Sequence, residues 1–285
     1  MEYLKKRGHI DGMELVSPEP AGLQDIKRVH SGRYIESVRA LAESGGGDLD
    51  PDTPVSRGSF DAAVLAAGAA VGAAESVLDG EYGTAFALVR PPGHHATHDR
   101  GMGFCLFDNV AIAAKRLLDV RGLKRVAILD FDVHHGNGTE EAFRNDARGF
   151  FVSFHRHPFY PGSGAPISAP AHIVDVPLKY DTPSKEFLAR WSQVLEEKVK
   201  PFAPEMVLVS AGFDCFQYDP VGGLNFEVKD YRRLGEAILG LARECCGGKV
   251  ASVLEGGYDL EGLPRCLEAY LEGIGAIGDR LKAEG

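Results

Sequence analysis

Five short runs, residues 86–89, 126–129, 150–153, 206–210 and 250–254, are predominantly apolar and lack the regular polar alternation of a half-exposed strand. Successive side chains of a strand point to opposite faces, so a strand with one face in water must alternate. A run without alternation needs cover on both faces, which is the condition of a parallel sheet held between layers of helix. Longer helical patterns lie between these runs, at residues 60–78, 109–118, 228–245 and 263–282. Asp108 is placed to cap the second of them. Thr182 followed by Pro183 reads as an N-cap with proline at the first helical position, opening a helix towards Lys200. This order predicts an α/β fold with an open, mostly parallel sheet, and one domain over residues 1–285. Residues 44–47, Ser-Gly-Gly-Gly, read as a mobile loop.

Composition narrows the class. Hydrophobic residues make up 44% of the chain and charged ones 25%, which suits a sizeable core. The longest apolar run, 62–74, is bounded by Asp61 and Glu75. It is shorter than the ~20 residues a bilayer demands, so it predicts a buried helix and no membrane association. Met1 to Gly8 contain no apolar signal-peptide core, and a cytoplasmic setting is the expectation. Cys105, Cys215, Cys245, Cys246 and Cys266 form no Cys-x-x-Cys pair, which argues against a thiolate zinc site and against a disulfide framework. A formal net charge of −10 disfavours direct nucleic-acid binding and favours cationic partners.

Chemistry concentrates in one quarter of the chain, where His94, His95, His98, His134, His135, His155 and His157 lie beside acidic residues. The stretch Ile128-Leu-Asp-Phe-Asp-Val-His-His-Gly-Asn-Gly138 begins as a strand and ends in a glycine-rich turn. Residues two apart project to the same side of extended chain, so Asp130, Asp132 and His134 are expected to converge at its carboxyl end. Open α/β sheets place their ligands there. Two carboxylates and an imidazole at that spacing call for a cation; a capped strand end with solvated acids is the other reading. Asp214, just beyond the run 206–210, supplies a third ligand from another strand end. An Asp/His/Asp set leaves a coordination position for water and substrate, and oxygen-rich ligation admits Fe(II), Mn(II) or Co(II) as well as zinc. Arg90-Pro-Pro-Gly-His-His-Ala96 brings two histidines to a further strand end, suited to acid–base work beside a metal. Leu254-Glu-Gly-Gly-Tyr258 brings a phenol, read as a donor to a developing oxyanion rather than as a packed aromatic.

Together with Gly103-Phe-Cys-Leu-Phe-Asp-Asn109, Asp130-Phe-Asp-Val-His-His-Gly-Asn-Gly-Thr139 and Ser210-Ala-Gly-Phe-Asp214, these motifs occur in the order seen in zinc-dependent histone deacetylases. The chain resembles the class II branch of that family, which includes bacterial and archaeal deacetylases and acetylpolyamine amidohydrolases. The resemblance implies the arginase/deacetylase fold, a three-layer α/β/α sandwich around a mainly parallel, eight-stranded sheet. It implies zinc held by Asp132, His134 and Asp214, with Fe(II) as a substitute. His95 would be the general base, and His94 its electrostatic partner and proton donor. Asp130 and Asn137 would orient the two imidazoles, and Tyr258 would polarise the acetyl carbonyl. A structural potassium ion would use Asp130, Ser153 and backbone oxygens of Asp132, His134 and Phe154. Gly103, Phe104 and Tyr160 would line the acyl tunnel, and Asp52 would stand at its rim. Family members usually begin with a strand and a His-Pro-Glu-Arg-like loop; this sequence is expected to lack that N-terminal edge strand.

The implied substrate is an acetylated amine, acetyl-lysine or an acetylpolyamine, and the absence of a long insertion in the N-terminal half favours an open entrance. Nothing in the sequence sets the oligomeric state. Arginase-like ureohydrolases share the fold but need bridging aspartates where this chain has Gly136 and Phe216. A non-catalytic acyl-ligand binding protein on the same scaffold is the reading from another class, because a fold does not confer activity.

Overall fold

The structure, a computed structural model, describes residues 1–9, 12–165 and 169–277. Its strands are β1 (Gly46–Asp50), β2 (Thr53–Ser56), β3 (Thr84–Ala87), β4 (Val126–Asp130), β5 (Gly149–Arg156), β6 (Ile173–Leu178), β7 (Met206–Ala211) and β8 (Val250–Leu254). Its helices are α1 (Glu2–Lys6), α2 (Leu23–Ile26), α3 (Gly32–Glu43), α4 (Ser59–Leu78), α5 (Asn109–Asp119), α6 (Asn137–Phe143), α7 (Ser184–Val194), α8 (Lys200–Phe202), α9 (Val228–Cys246) and α10 (Gly262–Gly273). Six strands form one sheet in the order β3-β8-β7-β4-β5-β6, and every neighbouring pair is parallel.

Both faces of this sheet are covered, as the unbroken apolar runs predict. Along β4, Val126 and Ile128 enter one core while Ala127 and Leu129 enter the other. Along β7, Met206 and Leu208 face one side and Val207, Val209 and Ala211 the opposite one. Helices α4 and α5 supply Ala67, Ala70, Val110 and Leu117 to the first core. Helices α7, α9 and α10 supply Trp191, Leu234, Ile238 and Leu271 to the second. The architecture is therefore a three-layer α/β/α sandwich. Helix α4 is long and apolar enough to cross a membrane by length and composition, yet Ala63, Ala66, Ala67, Ala70 and Ala74 are buried along it.

Several local expectations need correcting. Among the described residues the main sheet has six strands rather than eight. Residues 46 and 47 belong to β1, which pairs antiparallel with β2, rather than to a loop. The glycines serve close pairing: Gly46 has φ +113°, and a Cβ there would sit 2.3 Å from the Val55 carbonyl oxygen. Thr182 does not cap α7. Its hydroxyl donates to the Lys179 carbonyl at 2.7 Å, and Pro183 takes the N-cap position without a side-chain bond. A π-helical turn, Leu195–Val199, joins α7 to α8; it precedes Pro201, which has no N–H and whose ring crowds the preceding turn. The run 86–89 overlaps β3, which starts two residues earlier and ends at Ala87. Strand β6 carries Pro177 and half-buried Asp175, the signature of an edge strand, and has no unbroken apolar run. The expected helix 263–282 is α10 up to Gly273, and residues 278–282 lie outside the described residues.

The sheet order has one consequence for function. It sets the carboxyl ends of β3, β8, β7, β4 and β5 side by side, and the loops leaving those ends carry His94, His95, Asp132, His134, Asp214, Tyr258 and Tyr160.

Candidate active site

Asp132, His134 and Asp214 meet beyond β4 and β7, each offering a ligand atom within 4.8 Å of the others. Asp132 Oδ1 accepts the His134 amide at 2.9 Å and also faces His134 Nδ1 at 2.9 Å. Its Oδ2 accepts the Gly256 amide at 2.8 Å. Asp214 Oδ1 accepts the Val133 amide at 2.9 Å, while Oδ2 lies 3.2 Å from His134 Nδ1. That Oδ2 is buried and has no hydrogen-bond partner. Burial resists charging His134, but Asp132 and Asp214 outweigh it and raise its pKa to about 10. Burial and the Asp132 charge push Asp214 up to about 7. An orphaned carboxylate oxygen beside a second carboxylate and an imidazole is a donor set that fits a divalent cation. Only glycine tolerates this crowding: a Cβ on Gly256 would meet Asp214 Oδ2 at 2.2 Å and Asp132 Oδ2 at 2.6 Å.

Asp130 does not join that set. Strand β4 ends at Asp130, so the alternation that aligned it with Asp132 and His134 stops there. Its Oδ1 accepts the Asp132 amide at 3.0 Å, and its Oδ2 pairs with His94 Nδ1 at 2.9 Å. His94 and His95 leave the β3 end with ring centroids 4.0 Å apart. Their environments push them in opposite directions. Burial works against a charge on His94, but Asp130 and Asp132 outweigh it and hold its pKa well above the usual range. Burial, then repulsion from His94 and His134, pushes His95 well below that range. Asn137 Nδ2 donates to the His95 carbonyl at 3.2 Å, which turns Asn137 Oδ1 towards His95 Nδ1 at 2.8 Å. Neutral His95 therefore carries its proton on Nδ1 and presents the lone pair of Nε2.

Aromatic rings wall the entrance. Tyr160 stands edge-on to His95 at 5.1 Å, and a Cβ on Gly103 would press on His95 Cδ2 at 2.4 Å. Phe104 has φ +67° and lies edge-on to Tyr258 at 6.0 Å. The hairpin β1–β2 holds this turn: Asp52 Oδ1 accepts the Gly103 amide at 3.1 Å, and Thr53 Oγ1 accepts the Phe104 amide at 3.1 Å. Asp52 thus supports the wall from the rim. Burial, then the charges of Asp214 and Asp132, drives the Tyr258 phenol far above its usual pKa, which keeps it an O–H donor.

Asp130 and Ser153, two of the residues expected around a monovalent cation, are register partners across β4 and β5. Sequence reasoning missed others. Phe159 stacks on His134 at 5.0 Å, with the Arg156 guanidinium 3.7 Å from the Phe159 ring centroid. Glu255, inside the Leu-Glu-Gly-Gly-Tyr motif, accepts the Gly93 and His94 amides at 2.7 and 3.2 Å and the Ser210 hydroxyl at 3.1 Å. Burial raises its pKa to about 7. A carboxylate before two glycines was the available signal. Asp108 caps α5 through the Ala111 amide as expected, and it also accepts the Thr139 hydroxyl at 2.9 Å, tying that helix to the site.

A parallel α/β sheet with an open Asp/His/Asp set, a charged and a neutral imidazole, and a phenol at adjacent strand ends defines a hydrolase-type catalytic centre. The histone deacetylase domain family matches residues 1–274, and the chain belongs to that family. It is 39% identical over 269 residues to a probable deacetylase of Archaeoglobus fulgidus, covering 92% of this chain and 74% of that protein. It is 34% identical over 271 residues to the histone deacetylase-like amidohydrolase of Pseudomonas aeruginosa, covering 93% and 71%. The crystal structure of the HDA15 HD domain superposes with a TM-score of 0.88 at 33% identity, over 96% of this chain and 79% of that one.

Proposed function

We propose that this chain is a zinc-dependent amidohydrolase, with Fe(II) as an alternative metal, that releases acetate from an acetylated primary amine. The reading rests above all on the buried Asp214 Oδ2, which lacks a hydrogen-bond partner and stands in a set with Asp132 and His134. Those three residues would hold the metal, which when bound supplies Lewis-acid polarisation of the carbonyl and of water.

His95 Nε2 takes the proton of the attacking water, and Asn137 keeps the opposite ring nitrogen protonated and fixed. His94, held charged by Asp130, supplies a compensating positive charge and delivers a proton to the leaving amine nitrogen. Tyr258 donates its O–H to the acetyl oxygen as negative charge develops there. Phe104, Tyr160 and Phe159 exclude water around the apolar stem of the substrate. A potassium ion would sit by Asp130 and Ser153, with backbone oxygens of Asp132, His134 and Phe154. The formal net charge of −10 and Asp52 beside the tunnel wall suit a cationic substrate, acetyl-lysine in a peptide or an acetylpolyamine. The five free cysteines suit a reducing, cytoplasmic setting.

The test is acetate release from acetyl-lysine peptides and acetylpolyamines before and after chelation. Activity should vanish with the metal, return with zinc or Fe(II), and be blocked by a hydroxamate. Turnover in a verified metal-free sample would overturn the mechanism. Full metal loading with no turnover on either substrate class would favour a non-catalytic acyl-binding protein.

A further inference from the structure

We propose that Asp219 is a positioning residue that sets the phenol of Tyr258 relative to the metal-ligand loop. The inference rests on the oxyanion role given to Tyr258 above. Asp219 is 9% exposed, and its hydrogen-bond partners are four backbone N–H groups. Oδ1 accepts the amides of Val221 and Gly222 at 2.9 and 3.1 Å, folding its own loop around it. Oδ2 accepts the amides of Tyr258 at 2.7 Å and Asp259 at 3.2 Å. One carboxylate thus joins the loop after β7, which carries Asp214, to the loop after β8, which carries Tyr258.

The loop after β8 needs such a tie. Glu255 donates to the Ala211 carbonyl at 3.0 Å and Gly256 accepts from the Phe213 amide at 2.8 Å, so the segment is anchored as far as Gly256. Gly257 follows with φ +131°, a conformation that strains any side chain, and it is the pivot at which the chain turns towards Tyr258. Beyond that pivot, the Tyr258 and Asp259 amides both end on Asp219 Oδ2. The Asp259 carboxylate serves only its own turn, accepting from the Glu261 amide at 3.2 Å and from Gly262. On the opposite loop, Asp219 is fixed to Asp214 by short range. Its amide donates to Phe216 at 2.9 Å, and a Cβ on Gly222 would come within 1.7 Å of the Asp214 carbonyl oxygen. An oxyanion donor works only when placed about 2.7–3.1 Å from the developing charge. A displacement of about 1 Å costs on the order of 10²-fold in rate. Asp219 holds that distance by holding the backbone of Tyr258.

The test is a double-mutant cycle on the metal-loaded protein with Asp219→Asn, Tyr258→Phe and both together. Asparagine keeps the shape but gives one acceptor oxygen in place of two. Asp219→Asn should lower kcat about 10- to 100-fold, with KM and metal content within about twofold of the parent. The double variant should be no slower than Tyr258→Phe alone. Asp219→Glu keeps the charge but shifts the loop, and its smaller loss of kcat should likewise vanish in the Tyr258→Phe background; it carries the cycle if Asp219→Asn does not fold. Losses that multiply, a loss of metal, or parental kcat in the Asp219 variants would overturn the inference while leaving Tyr258 its role. Parental turnover in Tyr258→Phe would overturn both.

Discussion

His134 and His135 are neighbours in the chain but enter two different groups of histidine and carboxylate. His134 meets Asp132 and Asp214, where Asp214 Oδ2 is buried without a hydrogen-bond partner. His135 meets His155 and Asp175, and there every ring nitrogen is engaged. His135 Nδ1 lies 2.8 Å from Ser163 Oγ, and its Nε2 lies between Glu140 at 3.0 Å and Asp175 at 3.2 Å. His155 Nδ1 lies 3.0 Å from Ser153 Oγ, and its Nε2 donates to the Gly164 carbonyl at 2.9 Å. The charge balances as well, because Asp175 and Glu140 face protonated His135 while Arg144 pairs with Glu140. Proximity of histidine and aspartate therefore does not define a metal centre. What separates the first group is the buried Asp214 Oδ2, an acceptor with no hydrogen-bond partner among the ligand atoms themselves.

The largest expected effect comes from breaking the first group. Asp214→Ala should reduce bound metal to under a tenth of an equivalent and lower turnover by at least about 10³-fold, as loss of a catalytic metal would. Asp175→Asn in the second group should leave one metal per chain and turnover within about fivefold. Its cost should appear instead in denaturant unfolding, at about 1–3 kcal/mol for a buried partner left short. A wild-type chain that binds two zinc ions and loses one in Asp175→Asn would end the contrast.

A smaller effect extends the comparison to His30, another fully engaged imidazole. Its Nδ1 donates to the Thr97 carbonyl at 2.9 Å and its Nε2 accepts the Asp108 amide at 2.9 Å, so it must be neutral. Burial lowers its pKa to about 4. The unfolded chain binds this proton first as pH falls, at about 6.5. Stability from His30 is therefore intact above about pH 6.5 and declines towards pH 4, by roughly 3 kcal/mol at most. Urea unfolding between pH 4 and 7 should show a flatter pH dependence for His30→Gln than for the parent; equal slopes would contradict the assignment.

The contrast also explains what the sequence made legible. Apolar runs without alternation announced a sheet covered on both faces, and the strand ends marked where Asp132, His134 and Asp214 would gather. The same spacing rule misplaced Asp130, because extended geometry stops with β4 and the next turn sends Asp130 to His94 instead. Glu255, marked only by its place before two glycines, and Asp219 kept their roles hidden for a different reason. Both work through backbone amides of residues distant in sequence, and such contacts leave no periodicity to read. Phe159 looks like any wall aromatic until the fold stacks it on His134. Gly46 reads as loop because its need, close pairing with Val55, belongs to a partner strand.

The most direct measurement is a titration of zinc into metal-free protein, with acetate release from an acetylated substrate followed at each addition. Turnover should be absent at the start, rise in proportion to zinc, and reach its plateau at one equivalent per chain. Turnover before any zinc is added, or a plateau only at two equivalents, would contradict a single Asp132/His134/Asp214 centre.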